Sequence, residues 1–250
     1  MDIRASLTGL RAMVFFSFRK LLSNRRWAIV LLSAVLVGAV MGYSATLEGA
    51  DADGASDLMN LLMLTFFLPI MALVYGASMI RNEIDDRSIT QVITSPLDRR
   101  FAYLGYYLAL VGALSLVLVL IGAVGWSAYF FLDGLDGDAV SLLPSYSAIL
   151  VIGSVVYSSL FLALGVLLKQ PIYLGLLYVF VWEGFIGSLP GSIGEVTVRQ
   201  QLRVIASQWI DHGNITFVSG DTMASSVALI LITLVTLLLG AVMFREKEIA

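Results

Sequence analysis

The stretch IRNEIDDRSITQVITSPLDRRF (Ile80–Phe101) is rich in charged residues and separates two long runs that contain none. The first run extends from Leu58 to Ile80, and the second extends from Phe101 to Leu132. A helix needs about 20 predominantly apolar residues to cross the hydrocarbon core of a bilayer, and each run is long enough. The stretch is therefore predicted to be a loop that joins two membrane-spanning helices.

The composition of the whole chain indicates a membrane protein. Of its 250 residues, 59% are hydrophobic and 13% are charged, and the mean hydropathy is +0.91. Soluble domains carry roughly 25% charged and 45–50% apolar residues, so a soluble core could not bury this much apolar surface. We therefore expect an all-α integral membrane protein. The net charge of -3 argues against a nucleic-acid partner, and the absence of cysteine excludes disulfides and thiolate metal sites.

Six apolar runs are expected to span the membrane, within a single transmembrane domain of residues 1–250. Their predicted bounds are about residues 27–47, 58–80, 101–132, 145–168, 171–189 and 222–244. The fourth run is uncharged from Ala139, and Pro144 is expected to mark the start of its helix. The fifth run is interrupted only by Glu183.

The positions of lysine and arginine predict the orientation. If both ends are cytoplasmic, thirteen of the fifteen basic residues lie on the cytoplasmic side, and only Arg199 and Arg203 lie outside. Cytoplasmic loops of membrane proteins carry this excess of basic residues. We therefore expect a multi-pass protein of the cell membrane with both termini and the loop 81–100 in the cytoplasm. The outer loops are acidic, which is the usual complement of a basic interior; a vestibule that gathers cations is the alternative.

The first 26 residues are expected to form a basic amphipathic helix. Its apolar side chains recur every three or four residues, at Ile3, Leu7, Leu10, Val14, Phe18 and Leu21. A helix of this kind lies in the plane of the lipid headgroups, where it contacts membrane lipids. It either anchors the first span or contacts a partner protein.

The loop itself contains two helix-start signals. Ser88 and Gln91 have the spacing of a capping box, in which each side chain bonds to the backbone amide of the other residue. The helix that begins there cannot be long, because Pro96 disfavours helical geometry at Ser95. Its apolar side would carry Ile89, Val92, Ile93 and Leu97. A short amphipathic helix exposed to the cytoplasm indicates a docking surface rather than a simple connection.

The residues of this loop resemble the pattern that follows the second span of type-2 ABC exporter permeases. That pattern reads approximately E-x-E-x-G-T-L, then a short helix, then x-P-x-x-R. Glu83, Asp85, Pro96 and Arg99 match it, while Arg87 stands where glycine is usual. The resemblance implies the membrane half of an ABC exporter.

The resemblance also implies partners and site residues. The segment Ser88–Thr94 would be a coupling helix that seats in a cleft of an ATP-binding cassette ATPase subunit. That subunit would bind ATP and Mg²⁺, and a second permease copy or a sister permease would complete the substrate path. The coupling residues would be Glu83, Asp85, Arg87, Ser88, Ile89, Val92, Ile93, Pro96 and Arg99.

The outer segment 188–221 shows helical organisation of its own. Pro190 and Gly191 are expected to break the fifth helix, and Thr197 and Gln200 form a second capping box. An apolar face follows, made by Val198, Leu202, Ile205, Ala206 and Trp209. The family resemblance implies helices that dip back into the outer leaflet and cap the translocation path. An ordinary amphipathic surface helix is the alternative.

Two features within the spans are candidate sites. Glu183 lies about 18 Å along a helix from Pro171, a depth at which a charge costs several kcal/mol and usually faces a bundle interior or a partner. It is either a polar contact at a dimer seam or substrate path, or a structural carboxyl that ties the fifth span to the outer helices. Gly38 and Gly42 have the spacing that permits close helix contact, and a dimer seam is one use of it.

The sequence lacks the residues that ATP binding and metal binding need. None of the three lysines lies in a phosphate-binding loop, so the chain itself is not expected to bind ATP in the usual way. A single histidine cannot build a metal centre, and no catalytic residue is assigned. The alternatives to an ABC permease are a proton-coupled secondary transporter that uses Glu183 and an intramembrane enzyme. A cassette ATPase that stays bound through purification would favour the ABC permease. Proton-coupled flux by the chain alone would favour the secondary transporter.

Overall fold

The computed structural model describes residues 3–23, 26–85, 99–131, 137–188, 194–218 and 220–246. Within these ranges every regular element is a helix, as the all-α prediction requires. The α-helices are α1 (Ile3–Ser23), α2 (Arg26–Glu48), α3 (Ala52–Met59), α4 (Leu68–Asp85), α5 (Arg99–Tyr129), α6 (Gly137–Leu167), α7 (Pro171–Leu177), α8 (Val198–Ala206) and α9 (Thr222–Glu246). Two π-helical segments, Asn60–Phe67 and Tyr178–Phe185, continue α3 and α7, and short 3₁₀ turns occupy Ile186–Ser188, Gly194–Val196 and Gly213–Phe217.

Five helices in the described ranges are long and apolar enough to cross a membrane. They are Trp27–Leu47, Ala52–Ile80, Phe101–Tyr129, Ala139–Leu167 and Thr222–Arg245. The fifth predicted span corresponds to a shorter apolar helix, Pro171–Phe185, whose 15 residues rise about 22 Å against a hydrocarbon core of about 30 Å. The structure thus has five helices of spanning length and one shorter apolar helix where six spans were expected.

Two helices begin earlier than predicted. The second spanning helix begins at Ala52 rather than near Leu58, and the side chain of Asp51 caps it by accepting a hydrogen bond from the Gly54 amide at 3.2 Å. The expectation that Pro144 marks the start of the fourth helix was wrong, because α6 begins at Gly137 and contains the proline. Proline removes a single backbone hydrogen bond, a loss that a 31-residue membrane helix tolerates.

Among the five helices of spanning length in the described ranges, α6 is the most buried. In its spanning window 72% of the residues are buried, compared with 28% in α2 and 22% in α9. Helix α6 packs against α4, α5 and α9, whereas α2 packs mainly against α5. The apolar side chains that α2 and α9 leave exposed therefore face either lipid or another membrane protein.

The Gly38 and Gly42 spacing permits a close contact within the chain. A Cβ atom added at Gly38 would lie 3.3 Å from Val124 Cγ1, and one at Gly42 would lie 3.4 Å from the carbonyl oxygen of Ala128. Both neighbours belong to α5. The close helix contact that the spacing predicts is therefore made to α5, and no second copy is needed to explain it.

The predicted amphipathic N-terminal helix is present as α1. It packs against α5, with Leu21 buried and Val14 and Phe18 partly buried against the core. Phe15 and Phe16 lie on the other side and are 68% and 69% exposed.

The predicted coupling helix lies outside the described residues. So do the coupling residues Arg87, Ser88, Ile89, Val92, Ile93 and Pro96. Glu83 and Asp85 belong to the last turn of α4, and Arg99 is the first residue of α5. The two helices that flank the loop therefore end and begin at the same end of the bundle. We call the other end, where α3 begins, the α3 end.

Candidate functional site

The shorter apolar helix carries a buried carboxylate. It begins with Pro171 in its first turn, and its second half, Tyr178–Phe185, has π-helical hydrogen bonding. π-helical segments are rare and often occur at functional sites. Glu183 lies in this segment and is only 2% exposed.

Both carboxylate oxygens of Glu183 accept hydrogen bonds. Oε1 accepts from the Tyr178 hydroxyl at 2.7 Å and from the Val198 amide at 3.2 Å. Oε2 accepts from the Arg199 amide at 2.9 Å. Val198 and Arg199 are the first two residues of α8, whose amides have no partner within the helix. Glu183 therefore caps α8, in the position where the helix dipole favours a negative charge.

Thr197 completes the cap of α8. Its hydroxyl accepts a hydrogen bond from the Gln200 amide at 3.3 Å and donates one to the Gly194 carbonyl at 2.9 Å. This confirms half of the predicted capping box. The other half is different, because the Thr197 amide donates to the Gly194 carbonyl at 3.2 Å instead of to the Gln200 side chain.

Helix α8 is built into the bundle. Its predicted apolar residues Val198, Leu202, Ile205 and Ala206 are buried, and Trp209 just beyond the helix is 49% exposed. The helix packs against both α6 and α9. It is therefore an integral part of the core rather than a helix lying on the surface.

The other flank of α8 carries two arginines that the sequence placed in an outer loop. Arg199 is only 9% exposed, and Arg203 is partly buried. Burial lowers the pKa of the Arg203 guanidinium and repulsion from Arg199 lowers it further, while Tyr146 and Asp57 oppose the shift. Neither arginine was predicted as a site residue.

Two aspartates of α3 hold the segment that follows α8. Asp53 accepts a hydrogen bond from the Gly213 amide at 2.8 Å, and both oxygens of Asp57 accept from Asn214 at 2.5 Å. The hydroxyl of Ser56, between them, donates to the His212 carbonyl at 2.7 Å. Asp53 and Asp57 therefore have structural partners, and the described residues after α7 are held at two places, by Glu183 at the start of α8 and by α3 at Gly213 and Asn214.

The described residues contain no group of three or more histidine, aspartate or glutamate side chains that could hold a metal ion. The carboxylate of Glu183 binds the Tyr178 hydroxyl and two backbone amides.

The comparison with protein families gives the identity. A family model described as ABC-2 family transporter protein matches residues 18–189, which is more than half of the chain. The chain belongs to the ABC-2 transporter family. It is a membrane permease of an ABC transporter, as the loop residues indicated, and permeases of this family work with an ABC ATPase subunit. No curated protein matches the sequence of the chain.

The matched range shows which parts of the ABC-2 permease the family model describes. It includes the loop between α4 and α5, Glu183, and the glycines of α2. It ends before α8, so Arg199 and Arg203 lie outside it. The sequence signal for Glu183 was its charge within an apolar run, whereas the buried arginines gave no local signal that separates them from solvated loop residues.

Proposed function

We propose that this ABC-2 permease forms part of a substrate path through the cell membrane and is driven by a cytoplasmic ATPase that docks on the loop 81–100. A second copy or a sister permease would complete the path, and the ATPase would bind the ATP and Mg²⁺. In this arrangement both termini and the loop are cytoplasmic, and the α3 end faces outward. The family match over residues 18–189 carries the proposal, because it includes the loop.

The packing of α4 supports a route from the loop to the outer helices. Helix α4 ends at the loop, and its Leu73 lies against Gly175 of α7, where an added Cβ would lie 2.1 Å from Leu73 Cδ1. Such a close contact leaves little freedom for α4 to move independently of α7, because protein interiors are densely packed. Helix α7 continues into the segment that carries Glu183, which caps α8. A push on the loop would therefore displace α7 and α8 together with α4.

The hydrogen bonds of Glu183 to described residues do not favour the proton-coupled alternative. The two oxygens of Glu183 already accept three hydrogen bonds, two of them from backbone amides that cannot leave without uncapping α8. A proton site would need this carboxylate to exchange partners during transport. The arrangement instead matches the structural carboxyl that ties the fifth apolar run to the outer helices.

The test is the double substitution Ile89→Asp and Val92→Asp. Each change places a carboxylate on the predicted apolar side of the coupling helix, and an unpaired charge in a dry contact costs several kcal/mol. We expect the ATPase to be lost when the permease is purified in mild detergent, while the permease itself remains inserted. Gln91→Glu is the matched control, since it places a carboxylate on the opposite side of the same predicted helix and keeps the capping-box spacing with Ser88. Retention of the ATPase by the double variant would show that the loop is not the docking element.

A further inference from the structure

Two guanidinium groups lie one turn apart on the inward flank of α8. Arg199 and Arg203 are separated by four residues, which places their side chains on the same side of the helix, about 6 Å apart at Cβ. Arg199 is 9% exposed, and Arg203 is partly buried. They lie near Tyr157 and Tyr146 of α6 and near Asp57 of α3. The pair therefore occupies the junction of α3, α6 and α8.

The two guanidinium groups lack partners in the described part of the chain. The Nε atom of each is buried without a hydrogen-bond acceptor, and neither forms an ion pair there. Buried polar groups are almost always hydrogen-bonded, and a buried charge without a partner destabilises the fold. Two like charges on adjacent turns add repulsion to this cost.

The neighbouring carboxylates are already bound elsewhere. Glu183 accepts its three hydrogen bonds from Tyr178 and from the backbone of α8. Both oxygens of Asp57 are bound by Asn214. The hydroxyl of Tyr157 is buried close to Arg199 and makes no hydrogen bond of ordinary geometry with the described residues. The two guanidinium groups thus keep buried N–H donors that have no acceptor among the described residues, beside carboxylates whose oxygens are bound by other groups.

We propose that Arg199 and Arg203 form a binding site for a phosphate group. A guanidinium presents its N–H donors in a planar fork that matches phosphate, and two forks on adjacent turns can bind one group from two sides. Arg203 lies six residues before Trp209, a rise of about 10 Å along the end of α8 and the turn that follows it, and tryptophan favours the membrane interface. The pair is therefore within reach of the phosphate level of the leaflet at the α3 end, and Arg203, which is only partly buried, provides the opening. The site does not depend on ATPase docking.

The test is a thermal-unfolding titration of the purified permease in a non-ionic detergent at constant ionic strength. The probes are dihexanoyl phosphatidic acid, inorganic phosphate, and dihexanoylglycerol as a probe without phosphate. A ligand that binds only the folded state raises the unfolding midpoint in a saturable way. We expect this for at least one phosphate probe and not for dihexanoylglycerol. A response to the lipid alone identifies a headgroup, and an equal response to inorganic phosphate identifies a soluble phosphate group.

The variants connect the response to the arginines. Arg203→Gln should weaken the apparent affinity for the phosphate probe at least tenfold, and Arg199→Gln should do the same if it folds. Lys169→Gln is the matched control, because Lys169 is an exposed cation at the opposite end of the bundle. The proposal is overturned if no phosphate probe stabilises the protein saturably, or if Arg203→Gln responds like the unsubstituted chain.

Discussion

Replacement of Glu183 by glutamine tests the role of the buried carboxylate. The amide keeps the size of the side chain but replaces one acceptor oxygen with a donor. If the remaining oxygen keeps the bonds to Tyr178 and Val198, the new NH₂ group faces the Arg199 amide, and two donors then meet. An unsatisfied buried donor costs about 1–3 kcal/mol, and loss of the charge at the helix N-terminus costs about 0.3–1 kcal/mol more. We therefore expect Glu183→Gln to destabilise the protein by ~1–4 kcal/mol.

The effect should be largest in α8. The assay combines the thermal-unfolding midpoint in detergent with hydrogen exchange of the amides of Val198–Ala206. We expect a lower midpoint and faster exchange in the first turns of α8, because the Arg199 amide loses its acceptor and the Val198 amide loses a charged one. Glu195→Gln is the control, since Glu195 is an exposed carboxylate in the turn before the same helix. If Glu183→Gln keeps both the midpoint and the exchange protection but loses transport, the carboxylate acts in the substrate path and the capping explanation is refuted.

Two further predictions concern the bundle. Gly175→Ala should destabilise the protein by ~1–3 kcal/mol, because its Cβ would overlap Leu73. Adding Leu73→Ala in a double variant should relieve part of this loss. If Gly175→Ala alone were as stable as the unsubstituted chain, the close contact between α4 and α7 would be contradicted. A cysteine introduced at Asp136 should react with a membrane-impermeant thiol reagent in intact cells, whereas one at Asp86 should react only after the cells are opened, and the reverse pattern would contradict the orientation.

Local patterns predicted the elements whose partners are near in sequence. The three- and four-residue recurrence of apolar side chains identified α1, and the Thr197 to Gln200 spacing identified the start of α8. The uncharged runs identified the five spanning helices. They did not give the start of α6, because Pro144 was expected to mark that start and a membrane helix can continue through a proline. The predicted coupling helix lies outside the described residues and stays a prediction.

These local patterns could not predict contacts between residues that are far apart in the sequence. The capping of α8 joins Glu183 to amides 15 and 16 residues later, and only the path of the intervening chain brings them together. Arg199 and Arg203 were counted as outer-loop charges because burial depends on how α8 packs against α6. The spacing of Gly38 and Gly42 predicted a close helix contact but could not specify α5 as the partner.

The central claim, that an ATPase docks on the loop between α4 and α5, is tested most directly by cross-linking from that loop. The chain contains no cysteine, so Val92→Cys provides a single attachment point for a thiol-reactive photo-cross-linker in native membranes. The cross-linked protein is then identified by mass spectrometry, with a cysteine at Asp136 as the control position. We predict that an ATP-binding cassette ATPase is captured from position 92 and not from position 136. The account would be contradicted if the cross-linker at position 92 captured no cassette ATPase while the cross-linker at position 136 captured one efficiently.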